Sequence, residues 1–451
     1  MGRHARAFRN PVFVPYGEAF GRVMPRVAVF VGAGASHSWI WFADLLERLG
    51  IYDVEFITEH SVLSAGLDRM DFLLIGGGDT YAMAEALGEP GARAIEDFVR
   101  RGGLYFGSCA GAYLVLTGVD LEPFTPFNLV DGNMINVMPD PPPPRCLEHK
   151  YLAPYGEEWV FHPVYGEVEI ASTRASLVFP CFEDNHLRTT LFGGPVLEAA
   201  RVEDVIAVYS GLSDRAAYMW ERNEAARLLT GRPAVIRAEL GRGIAIVSGP
   251  HLEHPLYPHS NALIAEMMSI YWSRDPGLRD PAQGVDFHSP SRGEGQGGGG
   301  AKANGQHDAS PLHPGLRDPA KQREVRELLY EIKRQVSNAR IVGFGLEKLP
   351  VIWKIGVKVW EPAKIRMFLD CAWSRLDTLD ANAGTLDPED LAPLAHGYSE
   401  VTLMARNLKM EVESGKDSRA TAESLITSLK ELTARYLSLY YRTRLSGNYR
   451  A

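Results

Sequence analysis

Residues 107–111 read Gly-Ser-Cys-Ala-Gly and follow directly on the apolar run Leu104-Tyr105-Phe106. The form is glycine, any residue, nucleophile, any residue, glycine. A reactive side chain on a sharp strand-to-helix turn needs small neighbours two residues to either side, because the backbone folds back on itself there. Gly107 and Gly111 supply that room. The turn would lift Cys109 off the sheet and set its sulfur at a helix N-terminus, where the dipole favours thiolate.

Outward from this stretch, strand and helix signals alternate. Arg26–Val31 is a β-branched run ended by Gly32-Ala33-Gly34-Ala35-Ser36, and Ile40, Ala43, Leu46 and Leu49 make a helical stripe behind it. Asp53–Ile57 reads as a second strand. Phe72–Ile75 is a third, ended by Gly76-Gly77-Gly78-Asp79, and the helix Ala92–Arg100 leads into the fourth at Leu104. Continuous apolar strands separated by helices predict a parallel sheet covered on both faces, with its functional groups at the carboxyl ends of the strands. Strand-like runs recur at 176–179, 205–209, 234–238 and 243–248, and a helix over 260–272 closes this unit.

The base that a cysteine nucleophile needs, with a partner to orient it, is supplied by His251-Leu252-Glu253. In an extended segment residues i and i+2 face one way, so the Glu253 carboxylate would fix the imidazole tautomer. Gly77 and Gly78, with the N–H of Ala110, are candidates for an oxyanion hole. Gly34, Ser36, Asp79, Tyr113, Gly193 and Gly194 are candidates for the substrate pocket.

The phrases Gly76-Gly77-Gly78-Asp79, Gly107-Ser108-Cys109-Ala110-Gly111-Ala112-Tyr113, Phe192-Gly193-Gly194-Pro195 and Ser248-Gly249-Pro250-His251-x-Glu253 resemble class I glutamine amidotransferase-like domains. Within that group they are similar to the N-terminal domain of biotin–protein ligases, over roughly residues 24–272. The resemblance implies a flavodoxin-like three-layer α/β sandwich with a mainly parallel sheet. It also implies a Cys109-His251-Glu253 triad for acyl transfer on a small-molecule or peptide amide, without metal or cofactor. The alternatives are a catalytically silent binding or regulatory module and, third, a peptidase of the peptidase E/cyanophycinase kind, which carries serine at the elbow. The Gly-Arg-Gly-Arg-x-Gly loop of biotin ligase catalytic domains is absent, so the chain is not expected to biotinylate by itself.

Two lesser patterns are weak. Gly32–Ser36 lacks the full dinucleotide fingerprint, since position 37 is His. Cys146, His149, Cys181 and His186 fit no standard zinc spacing.

Composition limits the rest. The chain has 451 residues, 45% hydrophobic and 23% charged, with a net charge of −9. Residues 321–451 hold 21 Lys+Arg against 17 Asp+Glu, leaving 26 against 39 in residues 1–320. So acidic a first part argues against nucleic acid as a partner. Four cysteines make no disulfide framework, no run suits a membrane span, and the basic Met1–Asn10 stretch has no apolar core behind it. A cytoplasmic protein is expected.

Residues 273–320 hold ten glycines and six prolines and repeat Pro-Gly-Leu-Arg-Asp-Pro-Ala at 276–282 and 314–320, which predicts a disordered linker. Residues 321–451 carry helical stripes, such as Val325, Leu329, Ile332 and Val336, then Leu425, Leu429, Leu432, Tyr436 and Leu439. They predict a separate, mainly helical domain that binds a protein partner and holds no chemistry. The type of the apolar, glycine-containing segment 341–360 stays open.

Overall fold

The computed structural model describes residues 24–117, 122–140, 152–155, 157–174, 179–182, 185–274 and 319–448. Four short apolar runs build its centre: β1 (Val27–Phe30), β2 (Val54–Ile57), β3 (Phe72–Ile75) and β4 (Leu104–Ser108). Every residue of β1, β3 and β4 is buried, so these strands have no solvent face. They are followed in the sheet by β5 (Val164–Ser172), β6 (His186–Leu191), β7 (Val205–Leu212), β8 (Pro233–Leu240) and β9 (Gly243–Ser248).

The strand order is β2-β1-β3-β4-β9-β8-β7-β5-β6. From β2 to β9 every pairing is parallel. The order 2-1-3-4 followed by one more parallel strand is the flavodoxin-like arrangement. Beyond β9 the sheet continues antiparallel. Helices α1 (Trp39–Arg48), α2 (Thr80–Arg100), the short α3 (Ala110–Leu114) and α4 (Pro258–Arg274) accompany it. Helix α2 extends well upstream of the expected Ala92 start and is kinked at Gly88, which has φ +56°.

Register explains why distant sequence meets in one place. Strand β4 lies between β3 and β9, with Gly107 opposite both Ile75 and Val247 and Ser108 opposite Ser248. The three strands run the same way, so the chain leaves them at one edge as Gly76–Gly78, Cys109 and Gly249–His251. Of the strand expected over 176–179, positions 176–178 lie outside the described residues, and Phe179 is buried but not in a strand. Strands β5 and β6 were not legible as strands.

The C-terminal part is helical: α5 (Pro319–Leu346), α6 (Pro362–Trp373), α7 (Leu376–Ala381), α8 (Pro388–Glu413) and α9 (Arg419–Asn448). The stripes at Val325–Val336 and Leu425–Leu439 are buried. Asp387 is the N-cap residue of α8, as the Asp-Pro-Glu-Asp phrase suggests. The segment 341–360 divides into the end of α5 and a hairpin of β10 (Trp353–Ile355) and β11 (Lys358–Trp360).

These helices do not stand apart from the α/β part. Trp39 of α1 packs on Phe368 with ring centroids 5.9 Å apart, and Phe56 of β2 packs on Tyr441 at 5.5 Å. One continuous apolar core runs through both parts. Arg375, 3% exposed, reaches Asp44 and Glu47 of α1 at 2.7 Å each. No described helix is long and apolar enough to cross a membrane.

Candidate active site

The elbow has the geometry its glycines predict. Cys109 has φ +53° and ψ −109°, a left-handed conformation that costs a residue with a Cβ of order 1–3 kcal/mol. Its N–H donates to Ser248 O at 3.0 Å, tying the turn to the end of β9. A Cβ on Gly107 would lie 2.3 Å from Gly111 O, and one on Gly111 would lie 2.3 Å from Ile75 O. Neither position holds a larger residue without moving backbone.

His251 and Glu253 face each other, though not by strand geometry. Residues 252–253 form a turn, closed by the His254 N–H on His251 O at 3.2 Å. The turn brings His251 Nδ1 to 2.7 Å from Glu253 Oε1. The backbone of His251 is fixed on both sides: its N–H donates to Thr190 O, and its carbonyl accepts from the Thr189 hydroxyl. With Nδ1 engaged, Nε2 is the ring nitrogen left free of Glu253, while the Cys109 thiol donates to Phe192 O at 3.9 Å. The Ser108 hydroxyl donates to Glu253 Oε1 at 2.7 Å, while Glu253 Oε2 is buried without a partner among the described residues. Ser108 sits inside the elbow phrase itself, but its role needed the sheet register to become visible.

Electrostatics separate these groups from their neighbours. Burial pushes the Cys109 thiol up, but the hydrogen bond and charge of His251, with the Lys358 ammonium, bring it below its ordinary value. Helix α3 spans only five residues, so the expected dipole is a minor contributor. Burial lowers His251, yet the Glu253 charge and the hydrogen bonds with Cys109 and Glu253 push it up to about 9. The surrounding histidines go the other way. Burial, then the Lys358 charge, holds His162 at about 3; burial, then the His251 charge, holds His254 at about 4. His37 is likewise lowered by burial. His254 meets Trp41 edge-on with ring centroids 4.4 Å apart, and the same indole meets His251 edge-on at 5.3 Å.

The oxyanion candidates divide. The Gly77 N–H is already committed to Ser38 Oγ at 2.7 Å. The N–H groups of Gly78 and Ala110 donate to no acceptor among the described residues.

A cavity of about 110 Å³ opens in front of Cys109. Tyr113 and Gly193 line it; Gly34, Ser36, Asp79 and Gly194 do not. The Ser36 hydroxyl donates to Gly77 O, and Gly34 O accepts from the Asp79 N–H. Gly194 lies so close to Gly249 that a Cβ there would be 1.7 Å from its carbonyl oxygen. Asp79 caps α2 through Ala82 N–H and accepts from Val357 N–H at 2.9 Å, so it anchors the hairpin rather than facing the cavity. His162, Phe192, Lys358 and Lys364 also line the cavity, and none of them was expected there. No chemistry was expected after residue 320, and no local pattern around Lys358 points to this cavity.

The weaker sequence patterns find other roles. The Gly32–Ser36 loop is packed: Glu59 accepts from Ala33 N–H, and Lys430 donates to Gly32 O. Cys146 and His149 lie outside the described residues. Cys181 is buried and bonds Glu266 through its N–H, while His186 is exposed and bonds Ser210. No metal-ligating cluster forms among the described residues.

No curated protein sequence matches the chain. Among solved structures it is similar to a GMP synthase subunit from Thermoplasma acidophilum, at 13% identity and a TM-score of 0.33, covering 56% of this chain and 96% of that one. A cytoplasmic protein from Salmonella typhimurium matches at 12% identity and a TM-score of 0.32, over 54% and 98%. A β-galactosidase from Bacillus circulans sp. alkalophilus matches at 15% and 0.30, over 54% of this chain and 30% of that one. Residues 26–132, which hold the glycine loop, the elbow and Tyr113, match the family described as biotin-protein ligase, N terminal.

Proposed function

We propose that the protein is a cysteine-dependent acyl transferase that cleaves a small amide. The observation that carries this reading is a strained elbow that sets Cys109 beside a buried His251–Glu253 pair, with the Ser108 hydroxyl of the same elbow on Glu253. In this scheme the Cys109 thiolate attacks the amide carbonyl, and the N–H groups of Gly78 and Ala110 receive the oxyanion. His251, protonated at both nitrogens and held by Glu253, gives its Nε2 proton to the leaving nitrogen. The amine departs and a thioester remains on Cys109. Water then attacks the thioester, His251 takes its proton, and the carboxylic acid is released with the thiolate restored.

Ammonia release from glutamine and from simple primary amides tests the reading, together with mass spectrometry of acid-quenched enzyme. Release by the wild type, lost by at least about a hundredfold in Cys109→Ala, with a thioester adduct on Cys109, is the expected result. A non-catalytic binding module is the second reading, favoured by the 5% exposure of Cys109. It prevails if no amide is cleaved and Cys109 alkylates no faster than a free thiol at pH 7.

A further inference from the structure

We infer that the amide acted on at Cys109 carries an anionic group, a carboxylate in its simplest form, and that Lys358 of the C-terminal hairpin recognises it. The inference rests on the reading of Cys109 as the acyl-accepting thiolate and adds the substrate's charge to it.

The hairpin turns at Gly356 and Val357, with Gly356 at φ +60°. A Cβ on Gly356 would lie 2.3 Å from Asp79 Oδ2, the atom that accepts the Val357 N–H. The tip is thus seated on the residue that follows the glycine loop of β3. From the far side, Lys364 of α6 donates to Val359 O at 2.6 Å, and the Trp353 indole N–H donates to Ser418 Oγ at 2.9 Å. Held at both ends, the hairpin presents Lys358 to the same cavity as Cys109.

The charge balance of that cavity is one-sided. Two lysines line it, and no carboxylate does among the described residues. Lys364 is buried and spends a hydrogen bond on the hairpin backbone, so it is the fixed charge. Lys358 is half-buried, and no carboxylate shares the cavity lining with it among the described residues. It shares that lining with Cys109 and with His162, and its charge lowers both. A cavity of this size and sign favours a small acyl compound with one negative charge over a neutral amide.

Paired alkylating reagents test this without knowledge of the substrate. Iodoacetate and iodoacetamide are nearly the same size and differ by one charge. The rate ratio of iodoacetate to iodoacetamide at Cys109 is measured by mass spectrometry of the full chain and compared with that of a small free thiol. The ratio cancels any change in thiolate fraction. We expect it to exceed the free-thiol ratio by about tenfold, to fall toward it in Lys358→Met, to fall below it in Lys358→Glu, and to be kept in Lys358→Arg. Rapid labelling of Cys109 with a free-thiol ratio, or a raised ratio unaffected by Lys358→Met, overturns the inference and leaves the acyl-transfer reading standing. Inertness of Cys109 to both reagents overturns both, because a cavity closed to two-carbon reagents admits no amide.

Discussion

Ser108 donates its hydroxyl to Glu253 Oε1 at 2.7 Å, and both side chains are fully buried. The same oxygen receives His251 Nδ1 at 2.7 Å. Glu253 is thus held by the residue before Cys109, so the elbow and His251 are aligned through one carboxylate oxygen. Removing the hydroxyl leaves that carboxylate with His251 alone, since Oε2 has no partner among the described residues. Ser108→Ala should destabilise the protein by about 1–3 kcal/mol, read from urea unfolding, and should slow Cys109 alkylation at pH 7. Unchanged values of both would remove Ser108 from the alignment.

The titration directions predict how Cys109 differs from the other described cysteines. Burial pushes Cys371 up to about 12 and raises Cys181 as well, whereas Cys109 is lowered against its burial. At pH 7 iodoacetamide should label Cys109 first by a wide margin, and His251→Asn should erase the margin.

The His251 shift carries a stability signature of definite sign. Its value is raised in the folded protein, so the stabilisation is fully present below about pH 6.5 and is lost as pH rises toward 9. The difference in unfolding midpoint between wild type and Glu253→Gln should therefore narrow from pH 6 to pH 9. A gap that widens over that interval contradicts the raised value.

Much of this site is legible in the amino-acid sequence. Glycine clusters at the ends of apolar runs carry their own steric reason, and Gly107, Cys109 and Gly111 behave as that reason demands. The pairing of His251 with Glu253 was expected for a different cause, since a turn rather than an extended strand brings them together. What stayed hidden depends on long-range register. Ser108 reaches Glu253 because β4 and β9 pair in parallel at Ser108 and Ser248, and no local pattern reports a contact across 145 residues. Asp79 and the hairpin tip meet across 278 residues. The helical stripes of the C-terminal part mark amphipathic helices correctly, but a stripe does not say which partner covers it. Here the cover includes β2 and α1.

Arg375 tests that cover. It is 3% exposed and faces Asp44 and Glu47, which are 34% and 29% exposed at their side chains. Removing the guanidinium leaves two carboxylates facing each other beside an apolar interface. With allowance for their partial exposure, Arg375→Ala should cost about 2–4 kcal/mol, measured by chemical denaturation. Limited proteolysis should then cut the α5–α9 part sooner than in wild type. A loss below about 0.5 kcal/mol would show that the aromatic contacts alone hold the two parts together.

Gly356 tests the hairpin in a separate way. Its φ of +60° suits glycine, and a Cβ would meet Asp79 Oδ2 at 2.3 Å. Any side chain there must strain the turn and push the tip off Asp79, breaking the Val357 N–H bond. Gly356→Val should therefore leave the α/β core folded by circular dichroism while amide exchange accelerates across residues 353–360. Cys109, 5% exposed beneath the hairpin, should become more accessible to a bulky maleimide. Asp79→Asn keeps the acceptor oxygens only in part and removes the charge, so it should reproduce the exchange effect more weakly. Protection of 353–360 that survives Gly356→Val would mean the hairpin is held from the Lys364 and Ser418 side alone, without its seat on the glycine loop.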